Sequence, residues 1–249
     1  KTSGTTESIY HIAILSNNTT IFAVGSGGLL LKSTDAGNTW ATQSSPSAEI
    51  NRKIKFSPTN ESIAYLIGDN AGGSTIVYKS TDGAATWTPQ TIPVAADGDP
   101  VNLYGLSVVD ASNIFVCGGS KRIAKTADGS SWNNINNNTA NFYRACWFSS
   151  ATNGYVIGAN GKILATTNGS TFTSEASGVT FILNTIAVNS DGTILIAGAE
   201  GTILRKAGVT NQAPVANDDN GGTLQENGAD GTVNILANDT DPDGNPTTS

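Results

Sequence analysis

Short apolar runs separated by polar, glycine-rich clusters recur along the first 206 residues of the chain. The first unit shows the order clearly. An apolar run over residues 12–15 is followed by a polar turn, then by Ile21-Phe22-Ala23-Val24 ending at Gly25. After Gly27-Gly28 a third run over residues 29–32 leads into Ser33-Thr34-Asp35-Ala36-Gly37-Asn38-Thr39-Trp40. Runs this short, bounded by Gly and Asn, predict strands joined by hairpins rather than helices. One unit is therefore about three strands and a signature turn.

The same order returns four times. Ala64-Tyr65-Leu66-Ile67-Gly68 precedes Lys79-Ser80-Thr81-Asp82-Gly83-Ala84-Ala85-Thr86-Trp87, and Ile114-Phe115-Val116-Cys117-Gly118 precedes Lys125-Thr126-Ala127-Asp128-Gly129-Ser130-Ser131-Trp132. The fourth copy has Gly154-Tyr155-Val156-Ile157-Gly158 with Thr166-Thr167-Asn168-Gly169-Ser170-Thr171-Phe172; the fifth keeps Ile194-Leu195-Ile196-Ala197-Gly198 and loses the turn. The strand-ending glycines 25, 68, 118, 158 and 198 stand 43, 50, 40 and 40 residues apart. A period of about 40 to 50 residues with about four strands per unit predicts the blades of a β-propeller. In the turn, the Asp or Asn side chain accepts backbone N–H groups and the glycine takes a positive φ, so the chain reverses between two strands. The aromatic ring at its end, Trp40, Trp87, Trp132 or Phe172, can bury itself beneath the turn. Asp35, Asp82, Asp128 and Asn168 are accordingly read as structural.

Composition supports an all-β chain. Charged residues make up only 13% and glycine contributes 28 of the 249 residues, which disfavours helices and suits tight turns. No apolar window is long enough for a membrane-spanning helix. Met is absent, even at position 1, so either a signal segment or other upstream sequence is expected to have been removed. Cys117 and Cys146 are the two cysteines. They are expected to be buried free thiols, a bridge between neighbouring blades being the alternative. The charge divides sharply: all 13 Lys and Arg and 13 of the 20 acids precede residue 210, while seven acids carry the whole net charge of −7 beyond it. Neither a neutral body nor an acidic tail suits nucleic acid, which needs a basic surface.

The pattern Ser-x-Asp-x-Gly-x-Thr-Trp resembles the Asp-box, or bacterial neuraminidase repeat. The whole unit is similar to the propellers of the photosystem II assembly factor family. This resemblance covers residues 9–206 and implies a propeller fold; its members and look-alikes include sialidases, glycanases and non-catalytic binding or assembly proteins. Five blades are expected, with a six- or seven-bladed ring as the alternative. Because the fifth unit lacks an outer strand, the N-terminal Lys1-Thr2-Ser3-Gly4-Thr5-Thr6 is expected to complete it. Residues 1–207 form the propeller in this reading and 208–213 a linker. The stretch 214–249 resembles the opening of a cadherin-like, immunoglobulin-type bacterial adhesion repeat, a β-sandwich module truncated here.

Two constellations could carry function. Counting back from each strand-ending glycine places His11, Arg52, Tyr104, Arg144 and Asn184 at equivalent positions at the start of each unit's first strand. In a propeller that strand lines the central channel, so these five would ring one mouth of it and could grip an anionic or sugar ligand. In the tail, Asp239, Asp241, Asp243 and Asn245 alternate around Gly244, with Asp218 and Asp219 near the start of the repeat; these hard oxygen ligands suit Ca²⁺. Sialidase-like chemistry needs three clustered Arg, but the chain has only Arg52, Arg122, Arg144 and Arg205. A glycanase needs two carboxylates facing each other, and Glu49, Asp69, Asp97, Asp99, Glu175 and Glu200 show no pairing in the sequence. The expected function is a non-enzymatic, secreted or cell-surface recognition or assembly module of adhesin type, binding a glycan or protein partner. A glycoside hydrolase and an extracytoplasmic assembly factor are the alternatives.

Overall fold

The computed structural model describes residues 3–69, 76–93, 102–135 and 141–207. Strands and tight turns dominate it, and the strands fall into five antiparallel sheets in a five-bladed β-propeller arrangement. Blade one contains β1 (Ile9–Ile14), β2 (Ile21–Gly25), β3 (Leu30–Ser33) and β4 (Ala41–Thr42). Blade two contains β5 (Asn51–Ser57), β6 (Asn60–Gly68), β7 (Ile76–Ser80) and β8 (Thr88–Thr91). Blade three is β9 (Leu103–Val108), β10 (Ile114–Gly118), β11 (Ile123–Thr126) and β12 (Asn133–Asn134). Blade four is β13 (Tyr143–Phe148), β14 (Gly154–Gly158), β15 (Ile163–Thr166) and β16 (Thr173–Glu175). Blade five has three strands among the described residues, β17 (Leu183–Val188), β18 (Ile194–Gly198) and β19 (Ile203–Lys206). Within each blade the strands pair with their sequence neighbours, and the inner strands β1, β5, β9 and β13 pack side by side in that order.

The cores lie between blades because successive side chains of a strand point to opposite faces. Leu66 of β6 faces back onto Phe22, Val24 and Leu30 of blade one, whereas its neighbours Tyr65 and Ile67 face forward onto Leu103, Leu106 and Ile114 of blade three. Between blades three and four, Phe115 stacks on Phe148 with ring centroids 3.6 Å apart, alongside Cys117, Cys146 and Val156. Both cysteines are buried free thiols, and the Cys146 thiol donates to the Phe115 carbonyl at 3.7 Å. Burial pushes the Cys117 thiol up.

Among the described residues, the N-terminal segment adds no strand to blade five. Residues 3–8 form no strand. Instead, the Ser8 carbonyl accepts from Ser26 N–H at 2.9 Å, Ser8 N–H donates to Ser26 Oγ at 2.9 Å, and that hydroxyl donates to Glu7. These bonds tie the segment to blade one. Ile12 and Ile14 on β1 remain 53% and 62% exposed, and Leu195 and Ile203 of blade five 45% and 74%. In a ring closed at five blades these two faces would bury one another.

The chain divides into two units, Lys1–Ala187 with Leu195–Leu204, and Val188–Ile194 with Arg205–Ser249. The first holds four complete blades and most of the fifth. In the second, the described residues include a turn in which Asp191 accepts from Thr193 N–H at 2.8 Å.

Candidate functional site

Each inner strand begins with the same local device. The strand-ending glycine of the partner strand is packed so closely that an added Cβ would lie 2.0 to 2.4 Å from a carbonyl oxygen, that of Ser8, Ile50, Asn102, Phe142 or Ile182 in blades one to five. The same carbonyl accepts the N–H of the residue after the glycine, Ser26, Asp69, Gly119, Ala159 or Ala199. Two residues after that carbonyl the inner strand bulges. Ile9 pairs with Gly25 and His11 with Val24, leaving Tyr10 unpaired; in the same way Arg52, Tyr104 and Arg144 are skipped between paired neighbours. A bulge re-aims one side chain out of the regular alternation. Here it does so at the same end of four adjacent inner strands.

The re-aimed side chains meet in a ladder. The Arg52 guanidinium carbon lies 5.8 Å from the Tyr10 ring centroid and 4.5 Å from that of Tyr104. Arg144 lies 5.0 Å from Tyr104 and 4.8 Å from Phe142, and those two rings are 4.7 Å apart. Arg52 is clamped by Asp69 through two of its guanidinium nitrogens, Nε to Oδ1 and Nη2 to Oδ2, the latter at 2.9 Å. Arg144 has no acidic partner among the described residues, and its Nε is buried without a hydrogen bond. Cation–π contact attracts a guanidinium to the ring faces, and a planar guanidinium so held can still donate N–H bonds to an anion.

The structure thus brings together Arg52, Tyr104 and Arg144 as expected from the repeat, and corrects the first blade. His11 is displaced by one residue from the others, and Tyr10 holds the equivalent position. The turn between β1 and β2 is one residue longer than that between β9 and β10, since Ile14 pairs with Ile21 whereas Val108 pairs with Ile114. A one-residue slip sends a strand side chain to the opposite face. Asn184 follows the Ile182 carbonyl as Arg144 follows that of Phe142, and it is exposed. Phe142 and Asp69 join the site without having been singled out as ligand-binding residues; the signal available for Asp69 was its position immediately after the strand-ending Gly68.

The signature turns are built as local staples. In the first, Thr39 N–H and Oγ1 donate to the Asp35 carboxylate at 2.8 and 2.6 Å, and Ser33 Oγ donates to it at 2.8 Å. Asp82 repeats this with Thr86 and Ser80, and Asp128 with Ser131 and Thr126. Asn168 keeps the bond to Thr171 N–H at 2.8 Å. These bonds, led by the threonine hydroxyl, hold the carboxyl groups of Asp35 and Asp82 down at about 2. Trp132 is buried and donates Nε1–H to Gln90 at 2.8 Å, while Trp40, Trp87 and Phe172 are half-buried. The third turn also joins blades, because its Gly129 carbonyl accepts from Lys79 at 2.8 Å and Gln90 at 2.9 Å.

Of the carboxylates considered for hydrolysis, Asp69 is held by Arg52, and Glu49 and Glu200 are exposed. Asp97 and Asp99 lie outside the described residues, as do the calcium candidates Asp218, Asp219, Asp239, Asp241, Asp243 and Asn245. Among the described residues no three His, Cys, Asp or Glu side chains cluster as a metal site would require.

Comparison with known proteins bears on the fold. Residues 70–167, less than half of the chain, match the family described as photosynthesis system II assembly factor YCF48. An ancestral GH74 enzyme superposes with a TM-score of 0.65 at 18% identity, over 88% of this chain and 32% of its own. YCF48 from Cyanidioschyzon merolae does so with a TM-score of 0.62 at 12% identity, over 84% of this chain and 71% of its own. The GH74 enzyme of Niastella koreensis gives 0.54 at 20% identity, over 80% of this chain and 38% of its own. The chain therefore spans well under half the length of the GH74 enzymes it matches. Comparison with curated proteins yields no match. At these identities the likeness is one of fold, that of an all-β chain in a five-bladed β-propeller arrangement.

Proposed function

We propose that this chain is a non-enzymatic recognition or assembly module whose partner binds at the bulged ends of the inner strands. The observation that carries the reading is the ladder Tyr10, Arg52, Tyr104, Arg144 and Phe142, in which one guanidinium is neutralised by Asp69 and the other is not. Such a surface offers flat aromatic area and one unsatisfied cationic edge. It suits a protein segment that presents a carboxylate beside an aromatic or aliphatic side chain. An acidic glycan has the same charge and is the alternative partner. Similarity to a family of assembly factors supports partner binding in general. A secreted or surface setting, with residues 214–249 beginning a Ca²⁺-binding adhesion repeat, is the arrangement we propose for the whole.

Peptide and glycan arrays probed with the full chain test this. Ligands should carry a carboxylate, and Arg144→Ala should weaken their binding about tenfold or more, with little change in melting temperature. Selected ligands that bind the double variant Arg52→Ala/Arg144→Ala as well as the parent would remove the reading. The hydrolase alternative draws on the fold shared with GH74 enzymes. It requires two facing carboxylates, and turnover in a reducing-sugar assay on polysaccharides would replace the binding reading.

A further inference from the structure

At three successive interfaces between blades, the residue before the strand-ending glycine is buried with an inner-strand residue of the next blade. Val24 shares a cluster with Ile54, Ile67 with Leu106, and Cys117 with Cys146. The strand pairings show that these are the same place in the repeat. Val24, Ile67 and Cys117 lie opposite His11, Lys53 and Gly105 on their own inner strands, while Ile54, Leu106 and Cys146 lie opposite Leu66, Val116 and Val156 on theirs. Branched aliphatic side chains fill this place twice, and two thiols fill it once.

The backbone opposite Cys117 makes room for its sulfur. A Cβ added at Gly105 would lie 2.3 Å from Cys117 Sγ and 2.9 Å from the Cys146 backbone nitrogen. The sulfur therefore takes the space of a missing side chain, beside the Cys146 main chain. From the other blade, the Cys146 thiol donates to the Phe115 carbonyl at 3.7 Å, two residues before Cys117. Both cysteines are buried and unbridged. Burial pushes the Cys117 thiol up; against burial, the hydrogen bond from Cys117 and then Lys53 and Lys55 hold the Cys146 thiol down. Cys146 is thus the readier nucleophile of the two.

We propose that Cys117 and Cys146 are a redox pair, which a small disulfide of the glutathione class oxidises to a bridge between blades three and four. The Cys146 thiolate attacks one sulfur of the small disulfide and expels the other as a thiolate, leaving a mixed disulfide. Cys117 then attacks the Cys146 sulfur, the S–S bond between them forms, and the second small thiol leaves. Two electrons pass to the small disulfide and the two cysteine protons to the departing thiolates. Gly118 follows Cys117, and Arg144 stands two residues before Cys146. The bridge would fasten together β10 and β13, the strands whose ends set the aim of Tyr104 and Arg144. The inference does not depend on partner binding at the ladder.

The test equilibrates the full chain in buffers of graded reduced and oxidised glutathione, with and without urea. After acid quenching and alkylation, mass spectrometry measures the fraction of chains bridged within themselves between Cys117 and Cys146. In the folded chain the bridge should persist to a buffer at least about tenfold more reducing than in the unfolded chain, because the fold brings the sulfurs together. This equilibrium does not depend on how fast the buried thiols are reached. The bridged chain should also melt at a higher temperature than the reduced one, and dithiothreitol should reverse the rise. Cys117→Ser and Cys146→Ser should show neither the bridge nor the rise. A bridge no more stable in the folded than in the unfolded chain, bridging only between separate chains, or a bridged chain that melts at or below the reduced one would overturn the proposal and leave the pair as packing alone.

Discussion

Gly118 shows how a single atom's absence sets the geometry of the site. A methyl group there would lie 2.2 Å from the Asn102 carbonyl oxygen, well inside contact distance, and backbone surrounds it. The same close approach in every blade fixes the bulge two residues later, and hence the aim of Tyr10, Arg52, Tyr104 and Arg144. Gly118→Ala should therefore cost about 3 kcal/mol and disturb the ladder. Gly178, at φ +75° with nothing within 4 Å of an added Cβ, should lose only about 1 kcal/mol on the same change. Urea denaturation of the two variants checks the contrast, and equal losses would show that the carbonyl contact is not decisive. The glycine itself is legible in the sequence as a strand ending, but the reason for it is a carbonyl 16 residues away.

Among elements, the signature turn is the most self-contained. Asp35 and Asp82 titrate at about 2 in the folded chain, below the ordinary carboxylate value of about 3.9. A carboxyl group whose folded value is depressed contributes stability that is present above the unfolded value and lost as pH falls through the folded one. The melting temperature should therefore hold down to about pH 4 and fall from there toward pH 2. Replacing Asp82 by Asn should flatten that acid limb while keeping the turn, because Asn168 already holds the fourth turn with an amide. Asp82→Ala should lower the melting temperature at every pH. An unaltered acid limb in the Asn variant would assign the pH dependence to other groups. These turns were readable from sequence because the bonds to their Asp or Asn side chains join residues at most four apart.

For the molecule as a whole, stability resides in the interfaces between blades. Ile54 is fully buried against blade one, and Leu106 and Cys146 hold the same place in the next two interfaces. Ile12 occupies that register position on β1 and is 53% exposed. Ile54→Ala should cost about 2 to 5 kcal/mol and Ile12→Ala no more than about 0.5 kcal/mol, measured by denaturant unfolding of the full chain. A matching loss at Ile12 would show that the outer face of β1 is covered in solution.

The sequence alone determined the repeat, the strand order, the signature turns and the company of Arg52, Tyr104 and Arg144. Each rests on periodicity or on bonds between near neighbours, which a linear pattern records. Only the tertiary structure decided that Tyr10 rather than His11 completes the ladder, because a loop longer by one residue changes which side chain is re-aimed. It also revealed the approach of the guanidinium groups to the Tyr104 and Phe142 rings, the clamp of Asp69 on Arg52, and the attachment of residues 7 and 8 to blade one. Those contacts join different strands and blades, and the choice among them depends on distances that no spacing along the chain specifies.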